Sequence, residues 1–388
     1  MTHRIVLPRL METGAGAVQQ VPALLQTLGC KKPLLITDPI MVQLGHAARL
    51  QDILATANIA SDVFADTMAE PTEDSLLPAV EQVKAGDFDA LIALGGGSAI
   101  DSAKAIAILG KHGGQMADYK VPRIVDDAGL PVIAIPTTAG TGSEATRVTI
   151  ITDAKTDEKM LCMGLGFMPV AAVIDYELSM TAPARVTADT GIDALTHGIE
   201  AYVSQKANPF SDQQALAAIE LIAPNLRRVY HNPDDKPARE AMMLGATLAG
   251  VAFSNASVAL VHGMSRPIGA HFHVPHGLSN AMLLPAITEW SIPAAEARYA
   301  TCARTMGIAT ASDSDAAANA QLLVELKALN DELKVPTPAG FGIEESDFFG
   351  KLELMAGQAL ASGSPGNNPR VPTADEIVTL YQTVWNQS

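Results

Sequence analysis

The sequence is poor in cysteine, aromatic residues and positive charge, and each shortage argues against a class of protein. Cys30, Cys162 and Cys302 are too few and too far apart for a disulfide framework, and they form no CxxC motif, which favours a reducing cytosol. Aromatic residues make up only 4%, so the core has to be built from aliphatic side chains. The net charge of −16 would repel nucleic acid and anionic lipid, so neither is an expected partner.

Long apolar runs are missing as well. The first residues contain no extended apolar segment, which argues against a signal peptide, and no run of about 18 apolar residues is free of charge, which argues against a membrane span. A content of 48% apolar and 18% charged residues instead suits a well-buried globular protein. We therefore expect a soluble, cytoplasmic protein, and the length of 388 residues predicts two domains.

The first half of the chain contains short β-branched segments that alternate with helical patterns. Strands that alternate with helices predict a mainly parallel sheet covered on both faces. A polar segment at 152–159 predicts the turn of a hairpin. The predicted strands lie at 32–38, 88–94, 131–135 and 171–174, and the predicted helices at 42–57 and 99–109.

After about residue 178 the strand-like segments end and helical patterns take over. Pro183 and Thr187 supply turn and cap signals near this change. The sequence therefore predicts an α/β domain over residues 1–180 and an all-α domain over residues 181–388. The helical patterns of the second half span 189–204, 212–230, 237–252, 291–306, 316–333 and 373–387.

A glycine-rich loop, Gly95–Ser98, follows the strand predicted at 88–94 and precedes a helical pattern. Glycines let a backbone approach a phosphate closely, and a helix N-terminus offers free N–H groups and the positive end of the helix dipole. The strict GxGxxG fingerprint fails at Ile100, so the loop predicts a nucleotide site outside the usual Rossmann order. A glycine turn that only packs the strand against the helix is the alternative.

Two further features support a nucleotide site at the carboxyl ends of the strands. Asp38 ends the strand predicted at 32–38, where its carboxylate would accept hydrogen bonds from ribose hydroxyls and repel a 2′-phosphate, favouring NAD over NADP. A helix N-cap is an equally good explanation of an aspartate before Pro39. The small-residue loop Thr137–Glu144 follows another strand, and ligands of open parallel sheets bind at this edge.

Histidines are concentrated in one short segment, since four of the nine lie between His262 and His276. Histidine is the commonest metal ligand. Upstream, Asp193 and His197 are four residues apart in a predicted helix and so share one face, although such a pair taken alone is more often a surface pair. With His262 and His276 they make one carboxylate and three imidazoles, a set suited to Fe(II) or Zn(II) with a position left open.

These motifs resemble the iron-containing (group III) alcohol dehydrogenases, collinearly over nearly the whole chain. The resemblance implies a dehydroquinate synthase-like fold, with a Rossmann-like α/β domain, an all-α domain and the active site between them, in a homodimer or larger homo-oligomer. It also implies that NAD(H) and Fe2+, or Zn2+, serve to interconvert a small primary alcohol or diol and its aldehyde by hydride transfer. The matching segments are Gly95–Ser98, Pro136–Glu144, Gly191–Tyr202, His262–Gly277 and Asn367–Arg370.

The resemblance also implies roles for individual residues. Asp193, His197, His262 and His276 would ligate the metal, and Phe253 would line the substrate pocket. The residues that match NAD-binding positions are Asp38, Gly95, Gly96, Gly97, Ser98, Thr137, Thr138, Thr141, Ser143, Lys159 and Leu178.

Two residues of the histidine-rich segment have less certain roles. His273 is the predicted proton relay, ahead of His271, because the family often has a histidine just before its Pro-His ligand pair; a surface histidine bonded to water is the alternative. Arg266 stands where the family often has a second histidine. Its guanidinium would hold a carboxylate or sulfonate, so the alternative substrate is a short anionic aldehyde of the semialdehyde or hydroxy-acid type. The other interpretation of Arg266 is an ion pair with a carboxylate of its own domain or of a second subunit, in which it would not contact substrate.

Other functions fit the sequence less well. The implied fold is shared by dehydroquinate synthase and glycerol-1-phosphate dehydrogenase, which act on phosphorylated substrates. Such substrates need a dense pocket of Lys, Arg and Asn, whereas the motifs here are rich in Ala and Gly. A regulatory protein that only binds metal or nucleotide would have little use for a complete ligand set beside two nucleotide loops. The sequence therefore predicts an enzyme, a NAD-dependent iron-containing alcohol dehydrogenase.

Overall fold

The structure, a computed structural model, describes residues 2–156 and 158–386. The chain divides into two compact units, Val6–Ala182 and Pro183–Ser388, and Met1–Ile5 groups with the second of them.

The first unit is built on a parallel sheet. Its strands are β1 (Leu10–Thr13), β2 (Pro33–Ile36), β3 (Asp62–Phe64), β4 (Ala90–Gly95), β5 (Val132–Pro136), β6 (Val148–Asp153), β7 (Glu158–Met163) and β8 (Ala171–Ile174). Within the described residues, six strands pair in the order β1-β8-β5-β4-β2-β3, and every neighbouring pair is parallel. β6 and β7 form a separate antiparallel hairpin around the predicted turn at 152–159, of which Asp157 lies outside the described residues.

Helices cover both faces of this sheet, because its central strands are buried along their whole length and need apolar cover above and below. The helices are α1 (Val21–Leu28), α2 (Pro39–Gln43), α3 (His46–Thr56), α4 (Glu73–Ala85) and α5 (Gly97–His112). One apolar core contains side chains of α4 and α5, and a second contains side chains of α1 and α3. The predicted α/β fold class of the first half is confirmed.

The first unit differs from the prediction in its helices, and β1, β3 and α1 were not predicted. The helix predicted at 42–57 is interrupted at Gly45, whose φ of +78° is left-handed and separates α2 from α3. Helix α4 was not predicted either, although Thr72 and Ser75 form a capping box at its start and Glu73 and Asp74 occupy its first turn. Pro78 inside the pattern obscured this helix.

The second unit is helical throughout the part of it that the structure describes. Its helices are α6 (Ala184–Val203), α7 (Pro209–His231), α8 (Lys236–Asn255), α9 (Leu260–Phe272), α10 (His276–Ser291), α11 (Glu296–Thr305), α12 (Asp315–Glu332), α13 (Pro338–Phe341), α14 (Glu345–Gly350), α15 (Leu352–Ala361) and α16 (Ala374–Asn386). α6, α7 and α8 pack against one another, and α10 packs on both α6 and α9. The prediction of an all-α second half is confirmed; the final residue of the helix predicted at 373–387, Gln387, lies outside the described residues.

α8 and α9 are consecutive helices with an abrupt change of direction between them. None of the helices described here is long and apolar enough to span a membrane by itself, whereas α8 and α9 together pass that test of length and composition with a bend of 104° between them. The bend places Phe253, near the end of α8, and His262, near the start of α9, on either side of one corner.

Candidate metal centre

Three helices of the second unit bring the four predicted donor side chains together. Asp193 and His197 lie one turn apart on α6, His262 lies in the first turn of α9, and His276 is the first residue of α10. One ligand atom from each residue lies within 4.8 Å of the others. Asp193, His197 and His262 are buried, and His276 is partly exposed. A Cβ on Gly277 would overlap the Asp189 carbonyl, so glycine lets α10 begin this close to α6.

The spacing of the donor atoms fits a small divalent cation. Asp193 Oδ1 lies 3.4 Å from His262 Nε2, 3.8 Å from His276 Nε2 and 3.8 Å from His197 Nδ1. Bonds of about 2.0–2.2 Å at tetrahedral angles separate donor atoms by about 3.3–3.6 Å, so a cation fits with little rearrangement. Three imidazole nitrogens and one carboxylate oxygen are ligands that suit Fe(II) and Zn(II).

Charge is concentrated at this cluster. Burial alone would raise the pKa of Asp193, but the imidazoles of His197, His276 and His262 outweigh it and hold the pKa well below its usual range. Burial alone would lower the pKa of His262, but the carboxylates of Glu200 and Asp193 outweigh it and raise the pKa to about 9. The protein thus keeps an ionised carboxylate in its interior, where only a nearby positive charge makes it stable.

Glu200 is a second buried carboxylate at the centre, and the sequence analysis missed it. Its Oε2 accepts hydrogen bonds from His262 Nδ1 at 2.6 Å and from the backbone N–H of Ala259 at 3.0 Å, and its Oε1 accepts one from the N–H of Val261 at 2.6 Å. Ala259 is the N-cap residue of α9 and has no side-chain acceptor, so Glu200 of α6 supplies the cap. Because Nδ1 of His262 donates to Glu200, its Nε2 is free to face the cluster.

A sequence signal for Glu200 did exist. It lies three residues after His197 and therefore on the same face of α6, inside a motif that had already been noticed. Carboxylates that hold ligating histidines are common in metal sites, so this position on the helix was itself a signal.

An aromatic ring lies beside the donor cluster. Phe253 stacks on His197 with ring centroids 4.4 Å apart and an interplanar angle of 18°. His197 in turn stacks on His262, with centroids 4.3 Å apart. Phe253 is partly exposed, so it presents apolar surface next to the donors and limits rotation of the His197 ring.

The remaining predicted residues of the histidine-rich segment lie outside the donor cluster. Arg266 Nη1 donates a hydrogen bond to Ser364 Oγ at 3.0 Å, and burial lowers the pKa of Arg266. His271 Nε2 lies 2.8 Å from Gln358 Oε1 and donates to it. His273 is exposed and is the C-cap of α9, with a left-handed φ of +53°.

In the first unit, the predicted nucleotide residues other than Lys159 and Leu178 lie in the loops at the carboxyl ends of the parallel strands. Gly95 ends β4, Asp38 follows β2, and Thr137, whose N–H donates to the Gly95 carbonyl at 3.0 Å, follows β5. Gly95 has a φ of +150°, and a Cβ there would lie 2.8 Å from Ala99 Cβ. A Cβ on Gly97 would lie 2.7 Å from the Thr141 side chain, so glycines allow the two loops to touch. Thr138 lies beside Gly96, the N-cap of α5.

Asp38 caps α2, as the alternative explanation of this residue predicted. Its Oδ1 accepts hydrogen bonds from the N–H groups of Ile40 at 2.8 Å and Met41 at 2.9 Å. Its Oδ2 points toward Gly95, 3.1 Å from where a Cβ of that glycine would lie. One carboxylate oxygen therefore holds the helix and the other faces the glycine loop.

Ser143 is fixed by an ion pair between the buried Lys104 and the partly exposed Asp101, which was not predicted from the sequence. Its hydroxyl donates to Asp101 Oδ1 at 2.6 Å, and Lys104 Nζ donates to the Ser143 carbonyl at 2.7 Å and to its hydroxyl at 2.8 Å. Lys104 is fully buried, and burial lowers its pKa to about 8 against the opposing effect of the Asp101 and Glu144 carboxylates. α5 thereby holds the 137–144 loop through both residues.

The other predicted nucleotide residues are held within the same unit. Lys159 Nζ pairs with Glu70 Oε1 at 3.0 Å, and Ser98 Oγ accepts a hydrogen bond from the N–H of Glu70 at 3.4 Å. Leu178 is buried in the apolar core that contains α1 and α3.

Comparison with known proteins identifies the family. Residues 8–176 match the family described as iron-containing alcohol dehydrogenase, and residues 187–385 match the C-terminal domain of the Fe-containing alcohol dehydrogenase family. The chain belongs to the iron-containing alcohol dehydrogenases. The resemblance stated from the motifs is therefore confirmed.

Individual members of the iron-containing alcohol dehydrogenases are similar over most of their length. Long-chain-alcohol dehydrogenase 1 of Geobacillus thermodenitrificans is 40% identical over 347 residues, which is 88% of this chain and 87% of the relative. NAD-dependent methanol dehydrogenase of Bacillus methanolicus is 35% identical over 377 residues, 97% of this chain and 98% of the relative. The crystal structure of a 1,3-propanediol oxidoreductase superposes with a TM-score of 0.95 at 31% identity, covering 99% of this chain and 100% of that structure.

For an iron-containing alcohol dehydrogenase, the helical unit provides the features that this chemistry needs. Its donor cluster offers one carboxylate and three imidazoles to a cation, Glu200 orients one of those imidazoles, and Phe253 places apolar surface beside them. The chain is accordingly an oxidoreductase of this family, and Asp193, His197, His262 and His276 form a cluster that could hold a divalent cation.

Proposed function

We propose that this enzyme is a NAD-dependent, divalent-metal alcohol dehydrogenase that interconverts a small primary alcohol or diol and its aldehyde by hydride transfer. The observation that most supports this is the donor cluster of Asp193, His197, His262 and His276, whose spacing suits one small cation. The names of the relatives support the substrate class, since they include a methanol dehydrogenase and a 1,3-propanediol oxidoreductase. Fe2+ is the metal of the family, and Zn2+ fits the same ligands.

The contributions of the chain's own residues follow from their contacts. A divalent cation in the cluster supplies Lewis acidity, which lowers the pKa of an alcohol and polarises an aldehyde carbonyl. Asp193 provides the negative charge that balances such a cation, and Glu200 keeps His262 in the orientation that presents Nε2. The ring of Phe253 excludes water from one side of His197 and favours a substrate with apolar carbon next to its hydroxyl.

We assign NAD to the unit Val6–Ala182, and metal and substrate to the helical unit, with the boundary near residue 180. The assignment is supported by the two loops at the ends of β4 and β5 and by the free N–H groups at the start of α5. The relatives differ in the nicotinamide cofactor that their names give. The methanol dehydrogenase is called NAD-dependent, whereas another relative, 35% identical over 388 residues, is called NADPH-dependent butanol dehydrogenase. Asp38 Oδ2 favours NAD here, since its charge would repel a 2′-phosphate.

An anionic substrate held by Arg266 is not favoured. The relatives named above act on uncharged alcohols or diols. The Arg266 guanidinium already donates to Ser364 within the helical unit, which gives this residue a contact that needs no substrate.

His273 is the proposed proton relay, and His273→Asn is expected to reduce turnover roughly 10- to 1000-fold, within the range for general acid–base help. Asparagine is chosen because it tolerates the left-handed conformation of this C-cap, so the end of α9 is kept. The measurement is the pH–rate profile of the variant beside that of His271→Asn, which removes a histidine bonded to Gln358. An unchanged profile for His273→Asn rules out the relay.

The proposed function is tested by following NADH formation with a panel of short alcohols and diols. The expected result is activity with uncharged primary alcohols, lost after treatment with a chelator and restored by Fe2+ or Zn2+. A hydroxy acid such as 4-hydroxybutyrate serves as the anionic comparison. Activity that survives complete removal of metal, or that is confined to the hydroxy acid, contradicts the proposal.

We further propose that the enzyme is a cytoplasmic homodimer. The three cysteines are buried and free, which suits a reducing compartment. The dimer is an expectation from the family, and sedimentation of the purified protein tests it.

A further inference from the structure

Asn280 is a buried polar residue that faces the donor cluster from α10, one turn after His276. It is fully buried. Its Nδ2 lies 2.7 Å from Asp193 Oδ1, 3.1 Å from His262 Nε2 and 3.3 Å from His276 Nε2. One amide group thus contacts three of the four donor atoms.

The charge of Asp193 determines which end of this amide faces the cluster. An amide nitrogen donates hydrogen bonds, and its shortest contact is to the ionised carboxylate, which accepts most strongly. Turning the amide over would place Asn280 Oδ1 at the same short distance from Asp193 Oδ1, where two oxygen acceptors repel. A carboxylate oxygen has two lone pairs, so Asp193 Oδ1 can accept from Asn280 and still serve a cation.

Packing alone does not explain an asparagine at this position. Within the described part of the chain, Asn280 Oδ1 is buried and has no hydrogen-bond partner. Burying such an oxygen is unfavourable, whereas a leucine of similar size would fill the space without that cost. The contacts of Nδ2 with the donor atoms offset this unfavourable burial.

We propose that Asn280 is a positioning residue of the metal centre, an inference that rests on the proposed function. Its N–H fixes Asp193 with Oδ1 toward the three imidazoles. Its carboxamide also covers the face of the cluster that is bounded by Asp193, His262 and His276. The other three faces of the cluster each include His197, and His276 is the donor residue that is partly exposed.

Two substitutions separate the hydrogen bond from the cover. Asn280→Leu removes the N–H donor and keeps a side chain over the face, whereas Asn280→Ala removes both. Asn319→Ala is the matched control. Like Asn280, Asn319 is a buried asparagine whose Oδ1 has no hydrogen-bond partner among the described residues, but its Nδ2 donates to the Glu296 carbonyl and not to the donor cluster. The probe is Co2+ added to metal-free full-length protein.

The dissociation constant of Co2+ is measured by competition with a chromophoric chelator, and the visible spectrum reports coordination number. Both Asn280 variants should bind Co2+ about 10- to 100-fold more weakly than the wild type, the usual cost of losing a partner of a metal ligand. Asn280→Ala should also lose much of its absorption, because water entering the open face raises the coordination number, while Asn280→Leu should keep its intensity. Asn319→Ala should match the wild type in both.

The inference is overturned if either Asn280 variant binds Co2+ with wild-type affinity, or if Asn319→Ala loses as much affinity as they do. A wild-type spectrum in Asn280→Ala overturns the covering role. If Asn280→Ala does not fold, Asn280→Leu still tests the hydrogen bond through its affinity. Failure of the wild-type protein to bind Co2+ is a distinct result, which overturns the proposed metal-dependent function itself.

Discussion

Asp193→Asn is expected to leave the purified protein largely free of metal and to reduce turnover at least about 10³-fold. The substitution keeps the size of the side chain but removes the only negative charge among the four donor residues. Lewis-acid stabilisation contributes several kcal/mol, and about 4 kcal/mol corresponds to about three powers of ten in rate. Metal content by elemental analysis and turnover with a short alcohol measure the two effects separately.

Asp189→Asn is the control for this prediction. Asp189 lies one turn earlier on α6, is buried, and pairs with Arg185 outside the donor cluster. It should keep its metal and its activity while losing some stability. Equal loss of metal in both variants would show that Asp193 acts through the stability of α6 and not as a ligand.

Asp38→Ser is expected to shift the ratio of catalytic efficiency with NADP to that with NAD about 10²-fold toward NADP. Like charges held against each other cost several kcal/mol, and removing the carboxylate removes that repulsion of the 2′-phosphate. Serine is a good N-cap, so its hydroxyl oxygen can replace Asp38 Oδ1 as the acceptor for the N–H groups of Ile40 and Met41.

Asp38→Ala separates the two roles of Asp38. It removes the charge and the cap together, so its cofactor ratio should match that of Asp38→Ser while its melting temperature is lower. An unchanged ratio in both variants would show that Asp38 serves α2 alone, and that the nucleotide preference lies elsewhere.

The sequence was most informative where the local pattern determines the outcome. Buried β-branched segments alternating with helical patterns predicted the parallel sheet with helices on both faces, because burial on both sides leaves a near-continuous apolar run. The spacing of Asp193 and His197 placed both on one face of a helix. No spacing rule could bring residues 193 and 276 together, since that depends on how α10 packs on α6; the chemistry of the donors suggested the full set, and the family resemblance assigned it.

Residues that act through another residue were the ones missed. Glu200, Asn280 and Lys104 are polar groups on helices that, seen alone, resemble ordinary surface positions, and their roles depend on partners up to 87 residues away in the chain. Helices α9 and α10 were missed because Pro267 lies inside the first and Pro285 inside the second, where a proline argues against a helix.

The most direct test of the account is the fate of hydrogen from the alcohol carbon. A primary alcohol that carries two deuterium atoms on its hydroxyl-bearing carbon is incubated with NAD and the Fe2+-loaded enzyme, and the nicotinamide product is analysed by mass spectrometry. The account predicts that one deuterium per turnover appears in NADH, and that metal-free enzyme and Asp193→Asn give almost none. Aldehyde formation without deuterium in NADH, or equal transfer by the metal-free enzyme, would contradict metal-dependent hydride transfer.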